Sequence, residues 1–194
     1  LLAGRCGGDA RAVPYTYAYP RPAMTADVVA FTEIDGKLHV LLIQRGRDPF
    51  AGSWAFPGGF VEENEPLAAA ARRELLEETG FSPDDALPLV PLGAYGDPGR
   101  DPRGHTVSAA FLLWVPAEAR AAVAGTDDAT DARFVAVTTE LPATLAFDHA
   151  AILADAITRA RLLLAAAPET LLGRARAAES TTIAALSKLF GGSC

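Results

Sequence analysis

Two apolar, β-prone runs stand near the front of the chain, at residues 26–32 and 38–43. Asp35-Gly36 lies between them and suits the two-residue turn of a hairpin, so the runs read as antiparallel strands. A polar loop at 46–53 is followed by a short apolar segment, Trp54-Ala55-Phe56, that stops at Pro57-Gly58-Gly59. Over residues 66–79 the pattern becomes helical. Asn64 or Glu65 stands where a cap belongs, Pro66 suits the first helical position, and Gly80 suits the stop. Strands are expected again at 87–95, 106–115 and 133–137, with one or two helical turns at 116–124. A second long helix is expected at 146–166, where Ile152, Ala156, Ile157, Ala160, Leu163 and Leu164 recur at helical spacing. Strands, helix, strands, helix is the order of an α+β fold, an α/β/α sandwich with a mixed sheet between helices.

The ends differ from this middle. Residues 1–22 are rich in Gly, Ala, Pro and Tyr and read as an irregular arm, in which Tyr15, Tyr17 and Tyr19 alternate as in a short strand. Residues 23–166 read as the domain, and 167–194 as a tail with helical propensity. At 194 residues, 50% hydrophobic and 21% charged, the chain has the size and apolar content for one cored domain with a short extension. No apolar run approaches the roughly 20 residues that span a bilayer, so no membrane contact is expected. A net charge of −7 argues against general nucleic-acid binding, which needs clustered Lys and Arg, and suits a site for divalent cations. The two cysteines, Cys6 and Cys194, form no metal spacing and no disulfide framework, so a reduced, cytoplasmic home is expected.

The chemistry concentrates in one helix. With ~100° per residue, Glu74, Glu77 and Glu78 stand at i, i+3 and i+4 and share a face. Ala68, Ala71 and Leu75 share a neighbouring face that can pack on the sheet. Three like charges so close destabilise a helix unless a cation sits among them. A hard divalent ion takes carboxylate and carbonyl oxygens and completes its shell with water and substrate phosphates. Arg73 precedes Glu77 by four residues and can orient an acid on that edge, and Gly58-Gly59 lets the backbone approach closely. A Glu-rich face taken alone is more often a solvated surface.

This stretch resembles the signature of the Nudix hydrolases: Gly, five residues, Glu, seven residues, Arg-Glu, an aliphatic, any residue, Glu-Glu, any residue, Gly, an apolar residue. Gly59, Glu65, Arg73, Glu74, Leu75, Glu77, Glu78, Gly80 and Phe81 fill those positions without a gap. The resemblance implies a magnesium-dependent hydrolase, with manganese as a possible substitute, that cuts a pyrophosphate linkage. It implies that Glu74, Glu77 and Glu78 ligate or orient the metal with the Gly59 carbonyl, while Glu65 and Arg73 hold the loop and the acidic face. The general base is either a Glu of this motif or an acid of a later loop, among Asp127, Asp128, Asp131 and Glu140. Those Asp residues equally suit turns.

The loop Gly96-Asp97-Pro98-Gly99-Arg100-Asp101-Pro102-Arg103-Gly104-His105 carries two arginines on a Pro-stiffened frame, a form suited to phosphate. It looks like the loop of bacterial ADP-ribose pyrophosphatases and of ADP-ribose-sensing Nudix-like regulators, as do Tyr19-Pro20-Arg21-Pro22 and Phe147-Asp148-His149. The expected substrate is therefore ADP-ribose, cleaved to AMP and ribose 5-phosphate. Arg45, Phe56, Gly58, Arg100 and Arg103 are the candidate substrate contacts. Trp54 and Phe56 offer a flat surface to a base or else pack in the core, and His39, His105 and His149 suit ordinary hydrogen-bonding roles. The alternatives are another nucleotide substrate (NADH, a nucleoside triphosphate or a diadenosine polyphosphate) and a regulator that binds ADP-ribose without cutting it. Such regulators carry a winged-helix domain, for which residues 168–194 are too short and hold only Arg174, Arg176 and Lys188 as cations. A homodimer is expected from the ADP-ribose-cleaving relatives that the sequence resembles.

Overall fold

The computed structural model describes residues 16–83, 87–123, 129–138 and 140–166. Its first hairpin joins β1 (Ala23–Ile34) to β2 (Lys37–Arg45), and the turn holds Asp35 at φ 50° and Gly36 at φ 74°. Two successive positive φ values match the twist of the flanking strands, and the register runs from Phe31↔Val40 to Ile34↔Lys37. β3 (Trp54–Ala55) pairs with β2 and β4 (Gly58–Phe60) pairs with β1. Then come α1 (Leu67–Thr79), β5 (Val90–Tyr95), β6 (Thr106–Trp114), a 3₁₀ turn (Ala117–Ala122), β7 (Ala129–Ala136) and α2 (His149–Ala166). The sheet runs β3-β2-β1-β6-β5, with β7 also on β2. β1 and β6 are parallel, from Ala23↔Thr106 to Phe31↔Trp114, and the other pairings are antiparallel, so the sheet is mixed.

β1 is buried on both faces, and its period of two sorts the side chains between two cores. Val28 and Ala30 join Leu41, Leu113, Ala70, Ala71 and Leu75 beneath α1. Val29 and Phe31 join Val40, Leu42, Leu112, Ile152, Leu153 and Ala156 beneath α2. One helix on each face gives the α/β/α sandwich, and the same arrangement fixes α1 against the β1–β4 edge where the acidic residues lie.

Several bounds move for physical reasons. β1 extends to 23–34 because the parallel ladder with β6 carries its start back to Ala23 and the hairpin pairing with β2 carries its end to Ile34. β7 begins at 129, not 133, because its polar start pairs with Arg45 and Gln44 of β2. β5 begins at 90, where its pairing with Leu112 starts. α2 begins at His149, not 146, because Phe147 has φ 53° and cannot continue a helix. At α1 neither Asn64 nor Glu65 caps the helix; the N-cap is Pro66, with no side-chain hydrogen bond. Glu65 instead accepts from the Glu62 N–H at 2.9 Å and from Arg73. Gly80 does stop α1, at φ 66° with its N–H on the Leu76 carbonyl. Ala68 is exposed and Ala70 takes its place, since the buried row runs in i+4 steps through Ala71, Leu75 and Thr79. Tyr17 and Tyr19 are exposed and form no strand, and Arg21 lies 3.9 Å over the Tyr17 ring. Tyr15, Cys6, Cys194, Asp127, Asp128, most of the arm and the whole tail lie outside the described residues. Among the described residues no helix is long and apolar enough to cross a membrane.

Candidate active site

The acidic edge of α1 faces β4. Gly58 donates its N–H to Glu78 Oε2 at 2.8 Å, and a Cβ at Gly59 would overlap the Glu74 carboxylate. A Cβ at Gly58 would strike Asp27 and the Ala26 carbonyl, so the helix and β1 close on this pair from opposite sides. Burial pushes the Glu78 carboxyl up to about 8, and the neighbouring Glu74 and Asp27 charges add to it against the Gly58 hydrogen bond. Burial likewise raises Glu74, opposed by Arg73. Arg73 ties this edge together. Its fork donates to both Glu65 oxygens at 2.9 Å, to Glu74 Oε1 at 2.7 Å, to Glu77 Oε2 at 3.2 Å and to the Phe60 carbonyl at 2.9 Å. Those bonds hold the Glu65 carboxyl down to about 2, chiefly through Arg73.

A cleft opens beside this edge, lined by Asp27, Gly58, Gly59 and Phe60 together with Arg45, Arg100, Arg103 and Phe147. Arg100 is almost wholly buried, with a side chain 5% exposed, and gives Nε and Nη2 to Asp148 at 2.8 and 2.6 Å. Arg103 gives Nε and Nη2 to the buried Asp101 and stays 40% exposed. Arg45 gives Nε to the Pro49 carbonyl at 2.8 Å; burial and then the charge of Arg103 lower its pKa. His149 is buried and accepts the Phe56 N–H on Nδ1 at 2.9 Å, its ring stacked on that of Phe56. Burial lowers its pKa, and because Nδ1 accepts the Phe56 N–H the ring carries its proton on Nε2.

Two acids of one helix, a glycine pair closely approached from both sides, and the cations of a cleft are thus brought together from four separate stretches of chain. A family profile of the NUDIX domain matches residues 21–156. The chain belongs to the Nudix family. The ADP-ribose pyrophosphatase of Methanocaldococcus jannaschii is 44% identical over 140 residues, covering 71% of this chain and 74% of that protein. The ADPR responsive transcriptional repressor NtrR of Acinetobacter baylyi is 36% identical over 143 residues, 73% of this chain but 55% of the repressor. The solved NUDIX domain of Shewanella oneidensis NrtR, complexed with ADP ribose, matches with a TM-score of 0.65 at 32% identity, over 75% of this chain and 91% of that domain.

Within this Nudix domain the sequence candidates fall into groups. Glu74, Glu78, Gly58 and Gly59 meet at one place. Glu77 is half exposed and held by Arg73. Among the described residues no three acidic or imidazole side chains form a closed ligand set, because Arg73 holds Glu74 and Glu77 while Gly58 holds Glu78. The donor chemistry still fits a hard divalent cation: carboxylate oxygens, partly desolvated and repelling one another, pressed against the Gly59 backbone. Phe56, 1% exposed, packs in the α2-side core and lends the cleft only an edge. Trp54 packs against the same core with Arg133 4.4 Å over its ring, so its flat surface is already covered. Asp131 sits on β7, half exposed and 4.0 Å from Arg133, and is not among the cleft residues. Glu140 is exposed, and His39 bonds the Lys37 carbonyl in the hairpin. The sequence reading missed Asp27 and Phe60, and it named Phe147 only within the Phe147-Asp148-His149 resemblance, without a role in the cleft. Asp27 was visible as a lone acid in an apolar β run, and it is buried with the Ser108 hydroxyl donating to it. Phe60, 45% exposed beneath Arg103, carried no signal beyond following Gly-Gly.

Proposed function

We propose that this Nudix hydrolase cleaves the diphosphate of ADP-ribose, with water, to AMP and ribose 5-phosphate. The observation that carries the reading is the cleft that Gly58 and Gly59 share with Arg45 and Arg103, with Glu78 bonded to Gly58, Glu74 pressed on Gly59, and the Glu78 charge acting on Arg45. Its relation to an ADP-ribose pyrophosphatase and to an ADP ribose complex supports the choice of substrate. Magnesium, or manganese in its place, would be held by Glu74, Glu77 and Glu78 with the Gly59 carbonyl. When bound, such an ion polarises a phosphoryl oxygen and lowers the pKa of a water. Arg73 orients Glu74 and Glu77 toward that task. Arg45 and Arg103 grip the diphosphate and offset the charge that grows on it, and Arg100 frames the loop that presents Arg103. A carboxylate of the α1 edge is the base in this reading, with Glu78, bonded to Gly58 at the cleft wall, as the first candidate.

A homodimer in a reduced cytoplasm belongs to the same reading; it is supported by the relatives that the sequence resembles and by a chain with only two cysteines. A second reading, binding of ADP-ribose without hydrolysis, draws on the likeness to the NtrR repressor. The filled set of motif acids favours cleavage. The test is incubation with ADP-ribose, NADH, nucleoside triphosphates and diadenosine polyphosphates with magnesium, the products separated by chromatography. AMP and ribose 5-phosphate from ADP-ribose are expected. Tight binding of ADP-ribose with no product from any compound would overturn the enzyme reading.

A further inference from the structure

Phe147 forms the corner between the bridged Leu145 and the start of α2, with φ 53°. A bulky residue seldom takes this left-handed conformation, and it persists where the surroundings over-determine it, often at functional sites. Here both sides are pinned. The Ala146 N–H reaches the Trp54 carbonyl at 2.8 Å, the Asp148 carboxylate holds Arg100 with two bonds, and His149 Nδ1 accepts from Phe56. The corner thereby turns the Phe147 ring into the cleft. The Arg45 guanidinium lies 4.8 Å from the ring centroid and that of Arg103 5.7 Å, while Phe50 braces the ring edge-on at 4.8 Å. Two guanidinium groups share one aromatic ring although their charges oppose each other, and the negative face of the ring attracts both.

We propose that Phe147 is a positioning residue: its ring seats Arg45 and Arg103 together over one aromatic face, where both can meet a diphosphate. The inference rests on the diphosphate reading above and concerns how that moiety is gripped. The electrostatic attraction to the ring holds the two cations together when no anion is present, so the clamp is formed before substrate arrives.

The test is calorimetric binding of inorganic pyrophosphate, with EDTA present, to the full chain and to Phe147→Leu and Phe147→Tyr. Leucine keeps apolar bulk and loses the ring, whereas tyrosine keeps the ring. Leucine is expected to weaken binding about ten-fold, which is about 1.4 kcal/mol. Tyrosine is expected to stay within about two-fold of the wild type, since its face carries the same quadrupole. Thermal midpoints of the two variants should agree. Should the leucine variant not fold, Phe147→Met takes its place with the same expected loss. Wild-type affinity without the ring, equal weakening in both variants, or no pyrophosphate binding by the wild type would each overturn the proposal. Hydrolysis of ADP-ribose by the same wild-type preparation reports separately on the enzyme reading: binding with no cleavage sinks that reading and leaves Phe147 in place.

Discussion

Replacing Asp148 by asparagine takes the charge from one side of the Arg100 fork while leaving the shape of the site almost unchanged. Burial pushes the Asp148 carboxyl up, but the hydrogen bonds and charge of Arg100 outweigh it and hold the group below its ordinary value. Breaking a buried ion pair from one side costs about 3–5 kcal/mol. Asp148 keeps 26% of its side chain exposed and asparagine can still accept one bond, so roughly 2–3 kcal/mol is expected. With a urea slope of about 1–3 kcal/mol per molar, the midpoint should fall by about 1 M at an unchanged slope. The sign of the pH dependence follows from the depressed carboxyl. Its contribution is whole above the unfolded value of about 3.9 and fades as pH falls through the folded value. Urea curves of wild type and Asp148→Asn should therefore differ most at pH 7 and converge toward pH 3. Equal midpoints at pH 7 would refute the reasoning, as would a gap that stays constant down to pH 3.

Glu78→Gln should lower turnover of ADP-ribose by orders of magnitude and leave the far-ultraviolet spectrum unchanged, because it removes charge from the proposed metal edge; full activity would remove that assignment. Arg103→Ala should raise KM for ADP-ribose several-fold without altering the magnesium titration, and unchanged kinetics would return the residue to a loop-bracing role. The two glycines should part company. Gly59→Ala meets only the side-chain end of Glu74 and should fold but lose kcat, whereas Gly58→Ala meets the backbone of Ala26 and Asp27 and should lower the thermal midpoint by several degrees. Equal melting of the two variants would contradict that contrast.

The acidic edge was legible because helix geometry is local: residues at i, i+3 and i+4 share a face whatever else the chain does. The glycine pair was legible as a request for close approach, although what approaches, Asp27 on one side and Glu74 on the other, was not. Arg100 shows where local reading ends. Its residue type and loop suit a phosphate, yet its fork closes on an aspartate 48 positions later. Phe147 read as the opening of a helix, and only the tertiary ties on either side explain why it turns out of one. Phe56 went to the core because β3 and α2 close over it, a packing outcome that the apolar pattern permits without requiring.

Strand β4 spans three residues, and a strand so short would ordinarily fray. Here it is stitched to β1 by its ladder, to Glu78 through Gly58, and to Arg73 through the Phe60 carbonyl. The β4 wall is therefore tied into one block with α1, while the 96–105 loop is braced within itself by Asp101 and held to the start of α2 through Arg100 and Asp148. Such a division is modular: changes in the loop can reshape the cleft without loosening the block that carries the proposed metal edge.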